Sequence, residues 1–248
     1  MRCFLPMIIC SIFTSFYASI CVAQQVTITY IKMKPSTTAD STIVYPVFHF
    51  KDSTVGERVN SAVKKDLLQG YEIPDSITGL PALLKLAAGQ GLIRVNYTIA
   101  RNDRRLLSVV VAYAAVGAFA SSWKKYYCFS KKSGSLLTLD SLINPARKDR
   151  FLQMLHNKQQ AKLQKYRQQL KLKLSKKQID PSTYEYVLTQ LENNCLGNYD
   201  PKAFTFSVNK LAVMIDCQFP HAIQSLNPVA EIPFSIYTLQ PYLAFPYR

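Results

Sequence analysis

Three histidines, His49, His156 and His221, are the groups in this chain best suited to proton transfer or metal binding near neutral pH. None is spaced for metal ligation with another His, Asp or Glu in the manner of an H-E-x-x-H helix. His49 falls in a strand pattern and reads as a structural histidine. His156 sits in a basic helical segment and reads as solvated, and His221 follows Pro220 in a loop. Carboxylates number only 15. Asp149 stands beside Arg150, and Glu231, ahead of Ile-Pro-Phe, reads as a surface or paired residue. Gly89-Gln90-Gly91 lacks the third glycine and the helix start of a phosphate loop, and no G-x-S-x-G is present. We therefore assign no catalytic residue, no metal ligand and no cofactor from sequence, and the chain leans towards a non-enzyme.

Lysine offers the other chemistry. Lys158, Lys162, Lys165, Lys173 and Lys176 fall on one stripe of a helical segment, beside an apolar stripe of Leu152, Leu163, Tyr166, Leu170 and Leu174. Stacked ammonium groups next to an apolar face suit an anionic glycan or a layer of lipid headgroups. The competing reading is a solvated helix face that aids solubility.

The elements that carry these groups can be read from periodicity. Val26–Met33 and Thr42–Phe50 alternate as strands. A helix follows with Val55, Val59, Val63 and Leu67 on one face, and Thr54 and Glu57 have capping-box spacing at its start. Pro81–Ala88 predicts a short helix. Leu92–Ala100 and Leu106–Gly117 predict an antiparallel hairpin across Asn102–Arg105. Lys125–Ser130 predicts a third strand, turned at Lys131–Gly134 into Leu136–Leu139, after which Asp140 is placed to cap a turn. From Pro145 to Gln178 glycine is absent and Gln, Lys and Leu dominate, which favours helix. Asp180-Pro181 is an N-cap and N1 pair for a further helix. Ala203–Val208 and Leu211–Phe219 predict a hairpin, Val229–Ile236 a last strand, and Tyr237–Leu243 a closing helical turn. The pattern is α+β: an antiparallel sheet packed with helices, plus a long basic helical insert over 145–192. We read one domain over 24–248, with an N-terminal part of about 24–100 and a C-terminal part of about 101–248.

Residues 1–23 carry Arg2, an apolar run over Leu5–Val22 and small-residue punctuation at Cys21-Val22-Ala23, the pattern of a secretory signal cut after Ala23. An N-terminal membrane anchor is the alternative. Ile9 and Ile20 precede Cys10 and Cys21, where a lipoprotein signal needs a small residue. The expected location is thus exported, periplasmic or secreted. Formal net charge is +15, and loss of Arg2 alone would leave +14. A strongly basic protein attracts polyanions, and export turns that preference from nucleic acid towards envelope polymers. Of the 6 cysteines, Cys128, Cys195 and Cys217 lie past the leader, enough for one disulfide whose pairing stays open.

Four blocks in order resemble a family of extracytoplasmic domains. They are Tyr45-Pro46-Val47-Phe48 with the helix of Glu57–Leu68; Leu107–Val110 running to Gly117-Ala118; Ser133-Gly134 through Leu139-Asp140-Ser141-Leu142; and Phe204–Phe206, Leu211–Ile215 and Ala230–Leu239. The family is one of unknown function, shared by RsiV-like anti-sigma factors, which sense lysozyme, and by the non-catalytic part of PdaC-like peptidoglycan deacetylases. The resemblance covers most of Thr42–Leu243. Where the family has Gly-Gly-Ala-His, this chain has Val116-Gly117-Ala118-Phe119, so a role for that histidine is not carried over. The resemblance implies a non-catalytic binding or sensing module of the cell envelope. Its implied ligand is peptidoglycan-related or a wall-active enzyme. An anionic membrane surface is a further candidate partner, nucleic acid is disfavoured, and a hydrolase or accessory subunit acting on envelope polysaccharide is the alternative.

Overall fold

A computed structural model describes residues 26–35, 41–195, 197, 199–215, 217–228 and 230–244. The leader and its cleavage point after Ala23 lie outside the described residues. Alternating β-branched residues form an edge hairpin of β1 (Thr27–Met33) and β2 (Thr42–His49), paired antiparallel from Thr27↔His49 to Met33↔Ile43. α1 (Ser53–Leu68) and α2 (Leu80–Gly89) then carry the chain back to β3 (Leu92–Asn102), which runs parallel to β2 with Ile43 opposite Val95. β4 (Leu106–Val116) and β5 (Ala120–Ser130) complete a five-stranded sheet in the order β1-β2-β3-β4-β5. The expected antiparallel sheet therefore contains one parallel step, because the two helices bring the chain back to the end at which β2 began.

Several local expectations change for physical reasons. α1 is capped by Asp52, whose carboxylate accepts from the N–H groups of Thr54 and Val55, and not by the Thr54–Glu57 box. β5 begins five residues before Lys125, since an exposed hairpin arm can pair through polar residues such as Ser121 and Ser122. Leu136–Leu139 makes only a single bridge, Leu136 to Phe129, before the short helix α3 (Leu139–Leu142). Thr138 and Ser141 cap that helix reciprocally, in place of Asp140.

A 3₁₀ turn at Pro145–Arg147 leads into α4 (Lys148–Ser175), 28 residues long, and Asp180 caps α5 (Pro181–Asn194) through the Thr183 N–H. β6 (Phe204–Phe206), β7 (Lys210–Ile215) and β8 (Ala230–Ser235) form a separate three-stranded antiparallel sheet, followed by α6 (Ile236–Leu239).

Two apolar clusters result. In the first, α1 and α2 cover one face of the large sheet, where Ile43, Val95, Val109, Tyr127 and Phe129 meet Val59, Val63 and Leu84. In the second, the small sheet packs Phe204, Phe206, Val213 and Phe234 against Phe151, Leu155 and Leu163 of α4 and Leu191 of α5. Pleating lets the same strands serve both clusters: Leu107 and Phe129 face the first, Leu106 and Cys128 the second. Between them Ser108 is fully buried, and its hydroxyl accepts the Phe206 N–H at 3.2 Å, tying β4 to β6. Residues 100 and 101 both lie within β3, and β4 and β5 contribute to both clusters. No helix among the described residues is long and apolar enough to cross a membrane.

Candidate functional site

α4 carries the groups of interest on two different flanks. Its buried stripe of Phe151, Leu155, Gln159 and Leu163 recurs every four residues, returns seven residues on at Leu170, and seats the helix on the small sheet and α5. Gln159 is the polar member of that stripe. Buried at 3% exposure, its amide donates to the Cys195 carbonyl and fixes the helix against the end of α5. The same Cys195 is bonded to Cys217, which anchors α5 to the segment beyond β7. Cys128 is buried and unpaired, and burial pushes its thiol up to about 12, which keeps it from forming a reactive thiolate.

The sequence-selected lysines run along one flank of α4. Lys158, Lys162 and Lys165 are exposed, Lys173 is half-buried, and Lys176 lies just past the last turn. Lys158 folds over β8: its Nζ lies 5.1 Å from the Phe234 ring centroid and donates to the Pro233 carbonyl at 3.3 Å. None of the five makes an ion pair among the described residues. From Lys158 to Lys173 the row spans about 22 Å at the rise of an α-helix. It is a line of positive charge whose counter-ions come from solution.

The opposite flank holds two clefts that sequence reasoning did not select. A cavity of about 310 Å³ is lined by Asp149, Gln153, His156, Gln159 and Tyr199, among others. A second, of about 400 Å³, is lined by Asn157, Gln160, Leu163, Gln164 and Arg167. His156 is half-buried and lines the first cleft. Asp140, expected as a cap, instead pairs with Lys148 at 3.1 Å and accepts from the Tyr199 hydroxyl at 3.5 Å. Burial, and then the Asp140 charge, raise the pKa of that hydroxyl. The signal that could have found these clefts was in the sequence. Asp149, Gln153, His156, Gln160, Gln164 and Arg167 are spaced by four or three residues, a continuous helical stripe of hydrogen-bonding side chains.

The structure does not gather the histidines. His49 shares a 2.7 Å hydrogen bond with Thr29 across the edge hairpin, in the large sheet. Only the backbone of His221 is described, in a 3₁₀ turn over His221–Leu226. Asp149 and His156 line one cleft, yet they are two helical turns apart, about 10 Å along the axis, and no hydrogen bond joins them among the described residues. Glu231 pairs with Lys210 at 2.5 Å. Among the described residues, no group of three or more His, Cys, Asp or Glu is placed to hold a metal ion.

No family model and no curated protein matches the chain. Solved structures do. A DUF3298 family protein from Pseudomonas aeruginosa PAO1 is similar with a TM-score of 0.50 at 13% identity, covering 91% of this chain and 98% of that one. A DUF3298 family member from Bacteroides fragilis is similar with a TM-score of 0.56 at 11% identity, covering 90% of this chain and 95% of that one. At these identities the likeness extends to the architecture and not to any residue of the clefts or the lysine row, so the chain shares the fold of proteins from a family of uncharacterised domains.

Proposed function

We propose that this protein is an exported, non-catalytic binding or sensing module of the cell envelope, with a peptidoglycan-related glycan as its ligand. The observation that carries the reading is the lysine flank of α4, with five ammonium groups in a row, Lys158 lying over β8, and no ion pair among the described residues to neutralise them. A row of that kind is an electrostatic footprint for a linear anionic polymer. The Cys195–Cys217 disulfide supports work outside the cytoplasm, where such bonds persist. The leader-like residues 1–23 support the same location. The resemblance to the extracytoplasmic domains of RsiV-like and PdaC-like proteins supports an envelope role. A wall-active protein is the alternative partner.

The test is retention of the chain from Gln24 onward on purified peptidoglycan sacculi, at low and at moderate salt. Retention is expected, and Lys158→Glu/Lys162→Glu/Lys165→Glu is expected to lower it at least tenfold. Undiminished retention of that variant would remove the lysine flank as the contact. Retention that vanishes at moderate salt would mark the flank as a generic polyanion patch, and no retention at either salt would turn the reading to a protein partner.

A further inference from the structure

We infer that the two clefts on the far flank of α4 form one trough that binds an uncharged saccharide chain through a ladder of side-chain amides. The inference rests on the envelope-glycan reading above and deepens it, since it places a second, chemically different contact on the opposite side of the same helix.

Three observations converge. The first is continuity: the stripe from Asp149 to Arg167 lines both cavities and runs about 27 Å at the helical rise, room for several sugar rings in a row. The cavities, at about 310 and 400 Å³, fall within the range of ligand clefts. The second is the donor and acceptor set. Gln153, Gln160 and Gln164 are exposed, and the side-chain amides of Gln160 and Gln164 make no hydrogen bond with another described residue. Each amide presents an N–H₂ and a carbonyl side by side, the pairing that vicinal hydroxyls and an acetamido group require. At one end the half-buried Tyr199 ring supplies an apolar surface against which a pyranose face can lie.

The third is charge. Arg167, the only lysine or arginine lining either cleft among the described residues, is paired with Glu192 at 3.3 Å. Asp149 adds a negative charge at the other end. The trough therefore lacks the positive potential of the lysine flank and selects an uncharged chain, leaving anionic groups to the opposite side.

The probe is chitotetraose, an uncharged tetramer of N-acetylglucosamine, titrated into isotopically labelled protein and followed by NMR. Shifts in the α4 amides over 149–167 are expected, with an affinity insensitive to salt. Gln160→Ala/Gln164→Ala is expected to weaken binding at least tenfold, and Tyr199→Leu to weaken it separately. Lys158→Glu/Lys162→Glu should leave it within twofold. No perturbation at millimolar chitotetraose, or binding as tight as the unsubstituted protein's by both the double glutamine variant and Tyr199→Leu, overturns the inference. Retention on sacculi without chitotetraose binding would leave the envelope reading standing and remove the trough. Chitotetraose binding without retention would do the reverse.

Discussion

The large sheet is built from strands of 7 to 11 residues with a helical layer of its own, whereas the strands of the small sheet are 3 to 6 residues long. The small sheet takes its cover from α4 and α5 and from the far face of β4 and β5, and a disulfide closes the chain around β6 and β7. Long ladders bury enough apolar surface to hold register by themselves. Short ones need an external constraint, and here a covalent bond and the Gln159–Cys195 hydrogen bond supply it. The region with the weaker sheet is also the one that carries the lysine row and the clefts.

Four substitutions probe that contrast. Phe129→Ala removes a fully buried ring that stacks with Tyr127 at 5.8 Å in the large sheet. It should cost about 3–5 kcal/mol in urea denaturation, and a cost of about 1 kcal/mol would show that the large sheet does not dominate stability. Cys195→Ser/Cys217→Ser opens a link across 22 residues, expected to cost about 3 kcal/mol. Hydrogen exchange should then quicken in β6–β8 while the β3–β5 amides keep their protection. Uniform loosening of both sheets would dissolve the distinction between them.

Asp103, in the β3–β4 turn, is a milder probe. Burial works to raise its pKa, but the N–H groups of Leu106 and Arg105 and the Arg101 guanidinium together hold it below the usual 3.8. A depressed carboxylate contributes stability above its unfolded pKa and loses it as pH falls through the folded one. Asp103→Ala should therefore cost about 2 kcal/mol at neutral pH and flatten the acid limb of stability below pH 3.8. An unchanged acid limb would remove Asp103 from the account of the turn. Lys158→Met loses the cation over Phe234 and should cost only about 0.5 kcal/mol. A cost as large as that of the disulfide would mean that the lysine flank is structural.

What could be read from sequence follows this division. β3 was legible because β-branched and polar residues interleave over Leu92–Asn102, β4 because Leu106–Val116 is a β-branched apolar run, and α4 because its leucines keep helical spacing without glycine. Caps were harder: Asp52 and Thr138 each had a nearby competitor, Thr54 and Asp140, of similar capping propensity. The Cys195–Cys217 pairing and the parallel step depend on which distant segments meet, which spacing along the chain does not encode. The lysine row stood out because like charges repeat conspicuously. The amide stripe on the same helix did not, because glutamines there read first as helix formers. Two further conditions make the stripe a trough: Tyr199 at its end, and the burial of the neighbouring stripe of α4 from Phe151 to Leu170.

The parallel register of β2 and β3 sets the order in which the molecule can assemble. β3, β4 and β5 are joined by tight turns and can zip locally, but Ile43 meets Val95 only after both helices between them have been looped back. Closing that long loop costs chain entropy before any contact repays it. The three-strand meander is therefore the expected nucleus, with the β1–β2 ribbon and its helices docking afterwards. Pulsed hydrogen exchange during refolding should protect the amides of Val109 and Val111 in β4 before those of β2 (Thr42–His49); simultaneous protection would show that the ribbon belongs to the nucleus.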